Sequence, residues 1–133
     1  MSAETVMKAE ISIKGCYIQA KITKPYEIAI LRKQDDIAFN IGGWNINLYI
    51  HNRKIDSKTG CIITIECEND KNLKRVYVKS KKVIDNLAEY EYEDVYENIE
   101  ERQITCETSI YRLSISYDRN AHNKYMDINA ETD

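Results

Sequence analysis

"NLAEYEYEDVYENIEER", Asn86 to Arg102, carries seven carboxylates and three tyrosines, with no basic side chain before its last residue. Whether it folds as helix or strand decides whether the chain is all sheet or a sheet covered by a helix. At helical spacing Ile84, Ala88, Tyr92, Val95 and Ile99 fall on one stripe with Leu87 beside it, and Ser80 stands where an N-cap belongs. A strand over 88–93, in which Tyr90 and Tyr92 alternate with Glu89, Glu91 and Glu93, explains fewer residues. The periodicity therefore predicts one amphipathic helix near 81–101. Its charges are poorly placed for an isolated helix. Asp85, Glu89, Glu93, Glu97 and Glu101 follow one another at i, i+4 spacing, and each like-charge pair costs about 0.2 to 0.5 kcal/mol. Lys81 and Lys82 would sit at the positive end of the macrodipole and Glu100 and Glu101 at the negative end. Such a helix needs a sheet under its apolar stripe, or a basic partner for its acids.

Working outward, the charge is segregated. Eight of the 22 acids lie in residues 83–101, where there is no Lys or Arg, so a net charge of −3 hides a remainder of +5 that holds all 19 basic residues. Immediately upstream, "KNLKRVYVKSKK" (71–82) has six cations and no acid.

The rest alternates with period two. In "MKAEISIKGCYIQAKI" the apolar phase flips at Lys14-Gly15, which predicts a hairpin pairing Ile13 with Cys16, Ile11 with Ile18 and Ala9 with Ala20. In "IAFNIGGWNINLYI" Gly42-Gly43 supplies the positive φ of a two-residue turn. Pairing Ile41 with Trp44, Phe39 with Ile46 and Ile37 with Leu48 buries these six and leaves Asn40, Asn45, Asn47 and Tyr49 outward, so Trp44 reads as core. A third hairpin joins "CIITIEC" (61–67) to "LKRVYVK" (73–79) across Glu68 to Asn72, with Ile65 opposite Val76, Ile63 opposite Val78, Glu66 opposite Arg75 and Thr64 opposite Tyr77. Strands are also expected over 26–31, 111–117 and about 125–128.

About seven to nine short strands joined mostly by tight turns imply a mostly antiparallel barrel or two-layer sandwich, an α+β fold once the helix is added. At 133 residues, 43% hydrophobic and 31% charged, the chain reads as a single globular domain, 1–133, with flexible ends at 1–6 and 130–133. "MSAETVMKAE" has no secretory pattern and no apolar segment is long enough to span a bilayer, so a cytoplasmic protein without membrane contact is expected. Cys16, Cys61, Cys67 and Cys106 lack metal-ligand spacing and read as reduced core thiols.

No nucleotide-loop, dinucleotide or zinc-hydrolase motif occurs, and no spacing singles out a nucleophile and base such as Cys61 with His51. No catalytic residue, metal or cofactor is therefore assigned, and the expectation is not an enzyme. The leading reading is a protein-binding module, of inhibitor or immunity size, that docks its acidic face (Asp85, Glu89, Glu93, Glu97 and Glu101, with Tyr90 and Tyr96 as anchors) on a basic protein surface. The alternative is a nucleic-acid-binding barrel using Arg75, Tyr77 and Lys79, which mix cation and aromatic on one strand face. A small-molecule barrel lined by Phe39, Ile46, Leu48, Ile63 and Val76, and a structural subunit pairing through sheet edges, are the remaining readings.

Overall fold

Period-two alternation governs the backbone even in the acidic segment. The computed structural model describes residues 4–15, 17–23, 28–32, 36–51, 58–118 and 127–129, and within these eleven strands form two antiparallel sheets. Strands β1 (Glu4–Lys14), β2 (Tyr17–Thr23) and β3 (Ile28–Arg32) open the chain, followed by β4 (Asp36–Ile41), β5 (Trp44–Ile50) and β6 (Thr59–Asn69). Next come β7 (Lys74–Ile84), β8 (Leu87–Glu97), a single 3-10 turn at Ile99–Glu101, β9 (Ile104–Glu107), β10 (Tyr111–Tyr117) and β11 (Asp127–Asn129). One sheet has the order β3-β2-β1-β6-β7-β8 and the other β11-β4-β5-β10-β9, and they do not close into a barrel. Their inner faces share one core, to which Met7, Ile11, Ile63 and Val78 come from the first sheet and Phe39, Trp44, Leu48 and Leu113 from the second. The side chains that a small-molecule barrel would need around a lumen, Phe39, Ile46, Leu48, Ile63 and Val76, belong to that core. No helix among the described residues is long and apolar enough to cross a membrane.

The helix expected near 81–101 is not formed. Asp85 and Asn86 take positive φ, 51° and 67°, and turn the chain into an eleven-residue strand that runs back along β7. Asp and Asn are the residues that enter this left-handed region most readily after glycine, so Asp85-Asn86 closes the hairpin that an Asn-Gly pair commonly closes. Electrostatics favours the strand as well. It sets Glu97 opposite Arg75, Glu93 opposite Lys79 and Glu89 opposite Lys82, pairs that contribute about 0.2 to 1 kcal/mol each, where the helix would stack like charges. Of the supposed apolar stripe only Ile99 is fully buried and Tyr92 half-buried, while Ile84, Ala88 and Val95 are exposed. Ser80 caps nothing; it lies within β7, facing the core.

The Gly42-Gly43 hairpin has the expected register, Ile41 with Trp44, Phe39 with Ile46 and Ile37 with Leu48. Trp44 is fully buried, donating Nε1–H to Asn69 Oδ1 at 3.2 Å and meeting Tyr117 edge-to-face at 5.2 Å. The other two expected registers are displaced by two residues. Ile13 pairs with Ile18, Ile11 with Ala20 and Ala9 with Ile22, because Gly15, at φ 58°, is the residue able to begin the primed turn and Lys14 stays in the strand; Cys16 lies outside the described residues. In the β6–β7 hairpin Ile65 pairs with Val78 and Cys67 with Val76, so that Glu66 faces Tyr77, Glu68 faces Arg75 and Thr64 faces Lys79. Here the loop is set by Asp70, whose carboxylate accepts the backbone N–H of Asn72 at 2.8 Å and of Leu73 at 2.7 Å. A shift of two leaves every side chain on its expected face. β9 is a strand not anticipated from the sequence. β1 begins at Glu4, inside the stretch expected to be a flexible end, while 1–3 and 130–133 lie outside the described residues.

At Gly60 a Cβ would lie 1.9 Å from the carbonyl oxygen of Ile13, so the close approach of β6 to the end of β1 admits only glycine.

Candidate interaction surfaces

The acidic and basic blocks of the sequence form one ribbon, β7–β8, at the edge of the six-stranded sheet. On its outer face Arg75 donates from Nη2 and Nε to Glu97 Oε1 at 2.8 and 3.1 Å, and the Tyr77 hydroxyl donates to Glu93. That bond to a carboxylate pushes the Tyr77 phenol up to about 12. Arg75, Tyr77 and Lys79 do share a face as expected, but the carboxylates of Glu97 and Glu93 face them from β8. A phosphate backbone would have to compete with these fixed acids.

The seven residues expected to dock a basic partner do not form a ridge. Asp85 is in the hairpin turn, Glu101 ends the 3-10 turn, and Glu89 lies opposite Lys82 on the face that continues the interior of the sheet. Glu93 and Glu97 lie on the outer face. Tyr90 also points outward and is 64% exposed, whereas Tyr96 is turned inward, its hydroxyl 3.9 Å from Cys106 Sγ. A bulge at Glu91 makes the difference: Ser80 pairs with Tyr92 but Lys81 pairs with Tyr90, so the phase of β8 reverses between the two tyrosines. Among the described residues Leu87, at 71%, is the most exposed of the large apolar side chains, and Val95 and Ile84 are also exposed.

The bulge turns the Glu91 carboxylate towards the interior, where Ser80 Oγ donates to it at 2.7 Å. Ser80 Oγ accepts from the Tyr111 hydroxyl at 2.8 Å, and the Tyr92 and Tyr111 hydroxyls are 2.7 Å apart. This chain ties β8 and β7 to β10 across the two sheets. Burial pushes the Tyr111 phenol up to about 12 and also raises the Tyr92 phenol. Cys61 faces the same interior, and burial, reinforced by Glu91, pushes its thiol up to about 12. At neutral pH it is a thiol and a poor nucleophile. His51 is engaged elsewhere, its Nε2 being 3.4 Å from Glu107 Oε2.

A second surface was visible in the sequence only as the outward Asn40, Asn45, Asn47 and Tyr49. On the outer face of the five-stranded sheet, β4, β5, β9 and β10 form a trough of about 440 Å³ whose lining includes Asp36, Asn47, Tyr49, Gln103, Thr105, Arg112 and Ser114. Arg112 Cζ lies 5.5 Å from the centroid of the Tyr49 ring, and the Gln103 amide donates to Ser114 Oγ. The sequence did not reveal it because Thr105, Arg112 and Ser114 come from β9 and β10, whose neighbours are set by sheet order. Among the described residues no group of three or more His, Cys, Asp or Glu is arranged to hold a metal ion.

Fold and surfaces together define a two-sheet antiparallel β-protein with a charged edge ribbon and a polar trough on the opposite sheet. Comparisons with protein-family models, with curated proteins and with solved structures gave no match.

Proposed function

We propose that the protein is a non-enzymatic protein-binding module that takes up a basic, extended segment of its partner as an added strand beside β8. The observation that carries this reading is the outer edge of β8: eleven residues with five carboxylates and no cation, and with Leu87, Tyr90 and Val95 exposed among them. Edge strands present N–H and C=O groups to any chain that can lie alongside. Charge selects the occupant. A second β8 would set carboxylate against carboxylate, whereas a Lys- or Arg-bearing strand would give Glu89, Glu93 and Glu97 a second cationic neighbour besides the one each has on β7. An inhibitor- or immunity-like role is the special case in which the captured segment belongs to an enzyme.

Reversing Glu93 and Glu97 to Lys is a poor test, because it would place like charges opposite Lys79 and Arg75 within the fold. Tyr90→Lys with Val95→Lys alters exposed side chains only. Fluorescence anisotropy with a short alternating Lys-Val peptide, against its Glu-Val counterpart, should give binding of the first alone, weakened by salt and lost in the double variant while thermal unfolding is unchanged. Equal binding of the two peptides, or binding of neither, removes this reading.

A further inference from the structure

The two outer sheet faces differ in kind. That of the six-stranded sheet is built as a solvated face usually is, from long charged side chains such as Lys8, Glu10, Lys21, Glu66 and Lys79. Across the five-stranded sheet, register places Asp36, Tyr49, Arg112 and Glu107 in one row and Ala38, Asn47, Ser114 and Thr105 in the next. The second row is short and uncharged, and all four of its residues line the trough together with Tyr49 and Arg112. Short neutral polar groups are cheaper to take out of water than Lys or Glu, so this face can be covered at little cost.

We propose that the trough is a binding site for a short neutral saccharide. Its volume, about 440 Å³, falls in the range of small-ligand sites. The Tyr49 ring remains 41% exposed beside Arg112 and His51, leaving aromatic surface on which the C–H face of a sugar ring can stack. Asn47, Thr105 and Asp36 are neither hydrogen-bonded nor ion-paired through their side chains to any described residue. An amide, a hydroxyl and a carboxylate offer donors and acceptors together, the combination that neighbouring sugar hydroxyls require. The charges exclude the alternatives. Asp36 and Arg112, the two charged residues of the lining, carry opposite signs, so neither an anion nor a cation meets a complementary field.

Amide chemical-shift titration of the full chain with maltotriose, cellotriose and triacetylchitotriose tests this. At least one of the three should give saturable shifts at Asn47, Tyr49, Thr105, Arg112 and Ser114, with β8 unmoved. Tyr49→Ala should weaken that binding about tenfold, with thermal unfolding unchanged. Three outcomes overturn the proposal: no saturable shift with any of these sugars, shifts that persist undiminished in Tyr49→Ala combined with Asn47→Ala, or self-association in sedimentation that Tyr49→Ala abolishes, which would give the face to a second copy.

Discussion

Ser80 is fully buried, and its hydroxyl carries two hydrogen bonds that together decide the direction of a longer chain. Glu91 Oε1 accepts the one proton of the Ser80 hydroxyl, so Tyr111 donates to Ser80, and Tyr92 donates to Tyr111. Every group has its role because the carboxylate is fixed at one end. Ser80→Ala leaves Glu91 and Tyr111 short of a partner away from bulk water, which costs about 1 to 3 kcal/mol. Denaturant unfolding of Ser80→Ala, Tyr111→Phe and the double variant should show a clearly non-additive cycle; additive losses would mean that the hydroxyls do not act as a chain. None of this was legible along the sequence, where Ser80 looked like a helix cap. The contact depends on a one-residue bulge that no alternation pattern signals.

The element that the sequence misjudged is the β7–β8 hairpin, and a single position distinguishes its two readings. Inside a helix glycine costs about 0.8 to 1 kcal/mol relative to alanine and still about 0.3 kcal/mol relative to asparagine, whereas at Asn86, with φ 67°, it relieves a left-handed backbone. Asn86→Gly should therefore leave stability unchanged or raise it, and Asn86→Val should lower it by about 1 to 2 kcal/mol; thermal unfolding of the pair checks the order, and a loss on going to Gly would restore the helix. The helical stripe misled because Ile84, Ala88, Tyr92, Val95 and Ile99 fit period 3.6, although only Ile99 is completely buried, and it lies in the 3-10 turn after the strand. Where the turn chemistry was unambiguous, at Gly42-Gly43, sequence reasoning reached the register itself. Where the loop depended on the Asp70 carboxylate or on which residue led the turn, it reached the faces and missed the pairing by two.

For the molecule as a whole, the interior is a place where thiols and phenols stay neutral. Burial raises Cys61 from 9.0 and Tyr111 from 10.0, each to about 12, and raises Cys67 and Tyr92 in the same direction. A group whose folded value lies above its unfolded one contributes stability that is complete below the unfolded value and is lost as pH rises through the folded one. The protein should therefore hold its stability up to pH about 9 and lose it progressively towards pH about 12. Tyrosinate absorbance followed with circular dichroism checks this: the buried phenols should ionise together with loss of sheet signal, and ionisation of all ten tyrosines near pH 10 with the sheet intact would contradict it. The sequence by itself determined the alternating strands, the inward and outward faces, the core position of Trp44 and the segregation of charge, because each depends on neighbours two to four residues apart. Only the tertiary structure decided that the acids are answered by the chain's own basic strand, that Glu91 turns inward at a bulge, and that Tyr49 and Arg112 share a trough. Those depend on which strands become neighbours, a choice made by burying two whole faces against each other.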